Sequence, residues 1–135
     1  MIGTGEIRVY LQDKVELELN KVEARIKLLS KHNAVEVKKN ALDILEKLIR
    51  ETYQLVRNVQ KNKDIPKTIP VNIQICWKDL VGLRYEVGGK ILSNLSAAEG
   101  DAVKIKLLQN LGKIREKLNF VKSLLVSLER EGKKK

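Results

Sequence analysis

The chain has 135 residues, 43 % hydrophobic and 33 % charged, which is long enough for one domain with a core, too short for two ordinary ones and too apolar for a disordered segment. Lys and Arg number 27 against 17 Asp and Glu, a formal charge of +10 of which the terminal lysines supply only three, so the folded part is itself basic and suits polyanions such as nucleic acid or acidic lipid. One cysteine, Cys76, and one histidine, His32, exclude an intrachain disulfide and a Cys/His zinc site.

Asp13 and Glu16 stand at capping-box spacing, and Val15, Leu19, Val22, Ile26 and Leu29 then recur in steps of four and three, which predicts an amphipathic helix over 13–31. Ile7, Val9 and Leu11 alternate, as do Val15, Leu17 and Leu19, so a short hairpin near the start is the rival pattern. The persistence of the helical spacing to Leu29 favours the helix. Asn33 and Glu36 repeat the capping box, and a second helix is expected to about Asn62, with Ala41, Leu45, Leu48, Leu55 and Val59 on its buried side.

Lys63 to Pro70 holds both prolines and predicts a loop. Ile69, Val71, Ile73 and Ile75 alternate, predicting an extended lead-in to a third helix carried by Trp77, Leu80, Leu83, Val87 and Ile91. Gly82, Gly88 and Gly89 each cost that helix about 1 kcal/mol relative to Ala. Gly82 and Gly89 share a face, and close approach of another backbone is the preferred reason, with a kink as the alternative.

Ser96 and Glu99 form a third capping box, with Gly100 and Asp101 expected to delay the last helix by one turn. Leu107, Leu111, Ile114, Leu118, Val121, Leu125 and Leu128 then keep a heptad rhythm up to Gly132. The expected fold is all-α: a single four- or five-helix bundle over 1–132, then a basic tail at 133–135. The heptad seam is read as internal core, with a dimer zipper as the competing reading.

Catalytic chemistry finds no support in these residues. There is no phosphate loop, no G-x-S-x-G and no paired acidic cluster, while Cys76 reads as a small buried apolar residue and His32 as part of a turn between helices. No enzyme activity, cofactor or metal is expected. Five aromatic residues are too few for a base-stacking sheet. No uninterrupted apolar run approaches the ~18 residues of a membrane span, and Met1 to Tyr10 lacks a signal pattern, so a cytoplasmic chain without membrane partners is expected.

The binding signal lies on the second helix. Lys39, Arg50, Arg57 and Lys61 fall on one side of it, opposite Ala41, Leu48 and Val59. A solvated face laced by Glu46 with Arg50 and Lys39 with Asp43 at i,i+4 accounts for the first half of that row. From Arg50 to Lys63, however, four cations (Arg50, Arg57, Lys61, Lys63) face one acid, Glu51, with Tyr53, Gln54 and Asn58 interleaved, a composition suited to phosphate contacts. Residues 101–135 form a second basic region, ten cations against four acids, with half of the surplus in the tail.

The stretch Leu83, Arg84, Tyr85, Glu86, Val87, Gly88, Gly89 (LRYEVGG), followed by Lys90, resembles the L-x-Y-x-A-G-R segment of the Csm-type small subunit of type III CRISPR effector complexes. The layout, over about 38–132, is also similar: a helix with a basic stripe before the segment and an apolar helix after it. Here Gly89 stands where the family has Arg, and Lys90 is the nearest cation. The resemblance implies a non-catalytic helical protein that stacks along a ribonucleoprotein filament and supports single-stranded guide or target RNA by its backbone, with other subunits as partners. On this basis the expected RNA-backbone set is Lys39, Arg50, Tyr53, Arg57, Lys61, Lys63, Arg84 and Lys90. Self-association, as a helical scaffold with no nucleic-acid role, is the alternative. Trp77, Leu80 and Arg84 also resemble the W-x-x-L-x-x-x-R segment of HEPN-type bundles, but no histidine follows at Gly88 to Lys90, so ribonuclease activity of that kind is not expected.

Overall fold

The structure, a computed structural model, describes residues 2–92 and 94–133, with side chains as far as Glu131 apart from residue 93. Of the expected basic tail, Lys134 and Lys135 lie outside the described residues. Four long helical runs make up the described chain, and no strand occurs among those residues.

The first run is continuous from Thr4 to Lys27: α1 (Thr4–Tyr10), a π-helical segment (Leu11–Glu16) and α2 (Leu17–Lys27). Its fully buried residues are Ile7, Leu11, Val15, Leu19, Val22 and Ile26, spaced by three steps of four before the first step of three. In a regular α-helix each four-residue step overshoots a full turn by about 40°, so three in succession would rotate the row out of the core. The wider π turn absorbs that excess and keeps Ile7 and Leu19 on one line. The hairpin alternative is thereby corrected: Val9 and Leu17 are simply exposed residues on the outer side of a helix. So is the first capping box, since Asp13 and Glu16 lie inside the helical run.

Helix α3 (Ala34–Gln60) follows the expected limits and buries Ala41, Leu45, Leu48, Leu55 and Val59. Asn33 does not cap it. Instead the Asn33 amide braces the preceding turn, accepting from the Ser30 backbone N–H at 2.7 Å and donating to the Leu28 carbonyl at 2.7 Å. Helix α4 (Thr68–Lys90) begins before Pro70, which corrects the extended lead-in. Pro70 occupies the first turn, where the missing N–H would have had no intrahelical partner. The alternation that suggested a strand arises because α4 is apolar on two sides, with Ile69 and Ile73 buried and Val71 and Ile75 exposed.

Helix α5 (Ala97–Lys133) starts without delay after Ser96, whose Oγ accepts the Glu99 backbone N–H at 3.2 Å, and it runs through Gly132. The α5 row Leu107, Leu111, Ile114, Leu118, Val121 and Leu125 is at most 1 % exposed. The heptad seam is therefore core, and it offers no apolar surface for a zipper.

The helices form a ring in which α3 packs between α2 and α4, and α5 packs between α4 and the first helical run. Cross-helix side-chain pairs show the antiparallel registers: Arg8 with Glu129, Lys122 with Glu16 and Arg115 with Glu23 on one flank of α5, Lys117 with Asp79 and Asn110 with Glu86 on the other. The glycines differ from the expected close approach. A Cβ on Gly82 or Gly89 would meet nothing within 4 Å, and one on Gly88 would reach only Leu42 at 4.0 Å. No described helix is long and apolar enough to cross a membrane.

Candidate nucleic-acid interface

Helix α3 owes its exposed outer side to its own periodicity: residues about half a turn from Ala41, Leu48 and Val59 face away from the core. Arg50, Tyr53, Arg57 and Lys61 lie there and are exposed, and Lys63 follows just beyond the helix end. Arg50 to Lys61 spans about 16 Å along the axis. Among the described residues none of Arg50, Arg57, Lys61 and Lys63 enters an ion pair. The one acid in this stretch of α3, Glu51, is turned aside, with Lys47 at 3.9 Å and the Tyr10 hydroxyl as its neighbours. Burial and then the Glu51 charge push the Tyr10 phenol above its ordinary range, so it stays protonated beside that carboxylate. Arg50 borders a groove of about 310 Å³ between α1 and α3, together with Tyr10, Glu51, Gln54 and Asn58.

Tyr53 links this basic row to α4. Its ring lies 5.6 Å from that of Trp77 at 47°, a tilted aromatic pair, and the Arg57 guanidinium carbon sits 5.9 Å from the Tyr53 centroid. The guanidinium is thus held beside a ring face while its N–H groups remain open to solvent. Trp77 is half-buried, and its Nε1 is buried without a hydrogen-bond partner.

The remaining expected residues separate from this group. Lys39 lies about 16 Å from Arg50 along α3, with Asp43 and Glu46 between them. Arg84 is tied to Glu46 across the α3–α4 contact at 2.8 Å, and Lys90 closes α4 at the Lys39 end of the bundle. The i,i+4 pairs expected for a solvated face, Glu46 with Arg50 and Lys39 with Asp43, do not form. The eight residues therefore make two groups: Arg50, Tyr53, Arg57, Lys61 and Lys63 at one end, Lys39 and Lys90 at the other, with the Arg84–Glu46 pair between.

Sequence reasoning missed two further members. Lys67, exposed at the start of α4, joins Lys63 in lining a cavity of about 610 Å³ over Val59, Ile65 and Val71. Trp77 meets Tyr53 only because α3 and α4 run antiparallel, a pairing that no local spacing contains. His32 is exposed in the α2–α3 turn and Cys76 is buried on α4. Among the described residues no three His, Cys, Asp or Glu side chains gather where they could hold a metal ion. No protein-family model matches the chain, and neither a curated protein nor a solved structure matches it.

Proposed function

We propose that the chain binds the backbone of single-stranded RNA through the outer face of α3, as a basic, non-catalytic helical protein. One observation carries this reading: Arg50, Arg57 and Lys61 line up along about three turns, Lys63 follows just beyond the helix, and no carboxylate among the described residues pairs with any of them. An unpaired arginine offers its N–H fork to a phosphate at no cost in broken ion pairs, and a row of point charges carries no base pattern, so affinity comes without sequence selectivity. Tyr53 adds one ring on which a base or ribose can lie. Arg84 joins at small cost, since an exposed ion pair such as that with Glu46 is worth about 0–1 kcal/mol. Lys39 and Lys90 extend the path to the far end of the bundle.

The setting implied by the LRYEVGG resemblance is a small subunit of a multi-protein RNA-guided effector in the cytoplasm. A subunit in such an assembly makes a few phosphate contacts and relies on its neighbours for the rest, so weak binding in isolation is expected.

Titration of the protein with unrelated single-stranded RNAs tests this reading, and Trp77, the one tryptophan in the chain, reports from beside Tyr53. RNAs of different sequence should quench it with similar affinity, and Arg50→Glu/Arg57→Glu/Lys61→Glu should abolish the signal. Removal of 133–135 should have a minor effect. Strong dependence on base sequence, or binding lost only with the tail, would refute the proposal.

A further inference from the structure

Helix α4 is the most apolar and the least one-sided of the longer helices. A helix that is apolar all round is ordinarily covered all round, yet the outer face of α4 is left exposed by the described chain. Along that face run Val71, Ile75, Lys78, Gly82, Tyr85 and Gly89, in steps of four and three, and all six are exposed. Tyr85 is 70 % exposed and Val71 53 %. Gly82 and Gly89 leave open space where a side chain would be, at a cost in helix propensity that no contact among the described residues repays.

We propose that this row is a homodimer interface, in which α4 packs antiparallel against α4 of a second copy. The occupant follows from the order of residues along the row. Reversed and laid against itself about a two-fold axis level with Leu80, the row pairs Val71 with Gly89, Ile75 with Tyr85 and Lys78 with Gly82, each layer occurring twice. Both glycines then face a larger side chain, and the aromatic ring faces a branched aliphatic one, the interlocking that heptad spacing requires. A two-fold contact needs one patch to be complementary to itself, and this one is.

Charge agrees with the same register. Among the described residues Lys78 has no ion-pair partner. Gly82 opens onto a groove of about 380 Å³ between α4 and α5, bordered by Asp79, Glu86 and Lys113. Asp79 is already paired with Lys117, whereas Glu86 accepts from Asn110 at 2.5 Å and, among the described residues, has Lys106 at 4.0 Å as its one cation. The Lys78 stem of one copy lies over Gly82 of the other and brings its ammonium to Glu86, one turn further on. The row spans about 27 Å, and Val71 at its start borders the cavity that Lys63 and Lys67 line.

The test uses the full chain without RNA, so its result stands apart from the RNA reading. Sedimentation velocity over a concentration series should show a monomer–dimer equilibrium, and Ile75→Glu/Tyr85→Glu should shift it to monomer with an unchanged helical circular dichroism spectrum. The register is read by crosslinking, since Cys76 is buried and does not compete. Ile75→Cys protein mixed with Tyr85→Cys protein should form a mixed disulfide, whereas Gly82→Cys alone should not, because the two copies of residue 82 are offset by about 6 Å along the axis. A monomer at every concentration, or a dimer that survives the double Glu variant, would overturn the interface. A Gly82→Cys homodisulfide in place of the mixed one would overturn the register.

Discussion

Glu46 pairs with Arg84 on the neighbouring helix, at 2.8 Å, and not with Arg50, one turn along its own helix. That choice divides the cations of the α3–α4 face into one that is held and several that are available. It also sets a barrier between Lys39 and the Arg50 group, because the carboxylate remains half-exposed in the middle of the row.

Glu46→Gln removes that barrier. The substitution should change folding stability by no more than about 1 kcal/mol, since both partners are exposed. It should also release Arg84, strengthening RNA binding and steepening the log–log salt dependence by about 0.7, the increment for one further phosphate contact. A titration of fluorescence against salt would measure both effects. Unchanged RNA affinity would place Arg84 outside the contact path.

The helices were legible in the sequence where one face alone is apolar. On α3 the spacing of Ala41, Leu45, Leu48, Leu55 and Val59 gives both its limits and its exposed side, and on α5 the heptads mark a row that is buried from Leu107 to Leu125 and partly buried at Leu128. Legibility failed where a local pattern had two causes. The four-residue steps from Ile7 to Leu19 need a π turn that no residue type announces, and the second apolar side of α4 turned a helix into an apparent alternation. The run of exposed cations from Arg50 to Lys63 could be read from its composition and spacing. The Arg84–Glu46 and Tyr53–Trp77 contacts could not, because they depend on how α3 and α4 are set against each other.

Thr52 is 1 % exposed and its Oγ1 is buried without a hydrogen-bond partner. A buried hydroxyl left unsatisfied costs free energy that an isosteric methyl does not. Thr52→Val should therefore stabilise the fold by about 1 kcal/mol, a rise of roughly 4 °C in Tm. Calorimetry would check this, and a lower Tm would mean that the hydroxyl is satisfied in solution.

The Cys76 thiol is pushed up to about 11 from its ordinary 9.0, first by burial and then by the charge of Asp79, with Lys117 opposing. Raised pKa favours the protonated form in the folded chain, while the unfolded chain loses that proton near pH 9. Stability should accordingly be unaffected by this group below pH 9 and should fall as pH rises from about 9 to 11. Cys76→Ala should flatten that part of the profile in urea unfolding at a series of pH values. The same burial predicts that thiol reagents label Cys76 only at the rate of unfolding.

Gly112 lies in the middle of α5 with open space where its Cβ would be. Gly112→Ala should stabilise the bundle by about 0.5–1 kcal/mol through helix propensity and a less flexible unfolded chain. The effect should appear as a higher urea midpoint with an unchanged slope.

The claim that the outer face of α3 holds RNA by its phosphates is tested most directly by the salt dependence of binding to one single-stranded RNA. The wild type is compared with Arg50→Ala, Arg57→Ala, Lys61→Ala and the triple variant. Each removed cation should lower the magnitude of the log–log slope by about 0.7, and the triple variant should lose about 2 in slope. A slope that is the same in all five proteins would contradict the account, since the phosphates would then be held elsewhere.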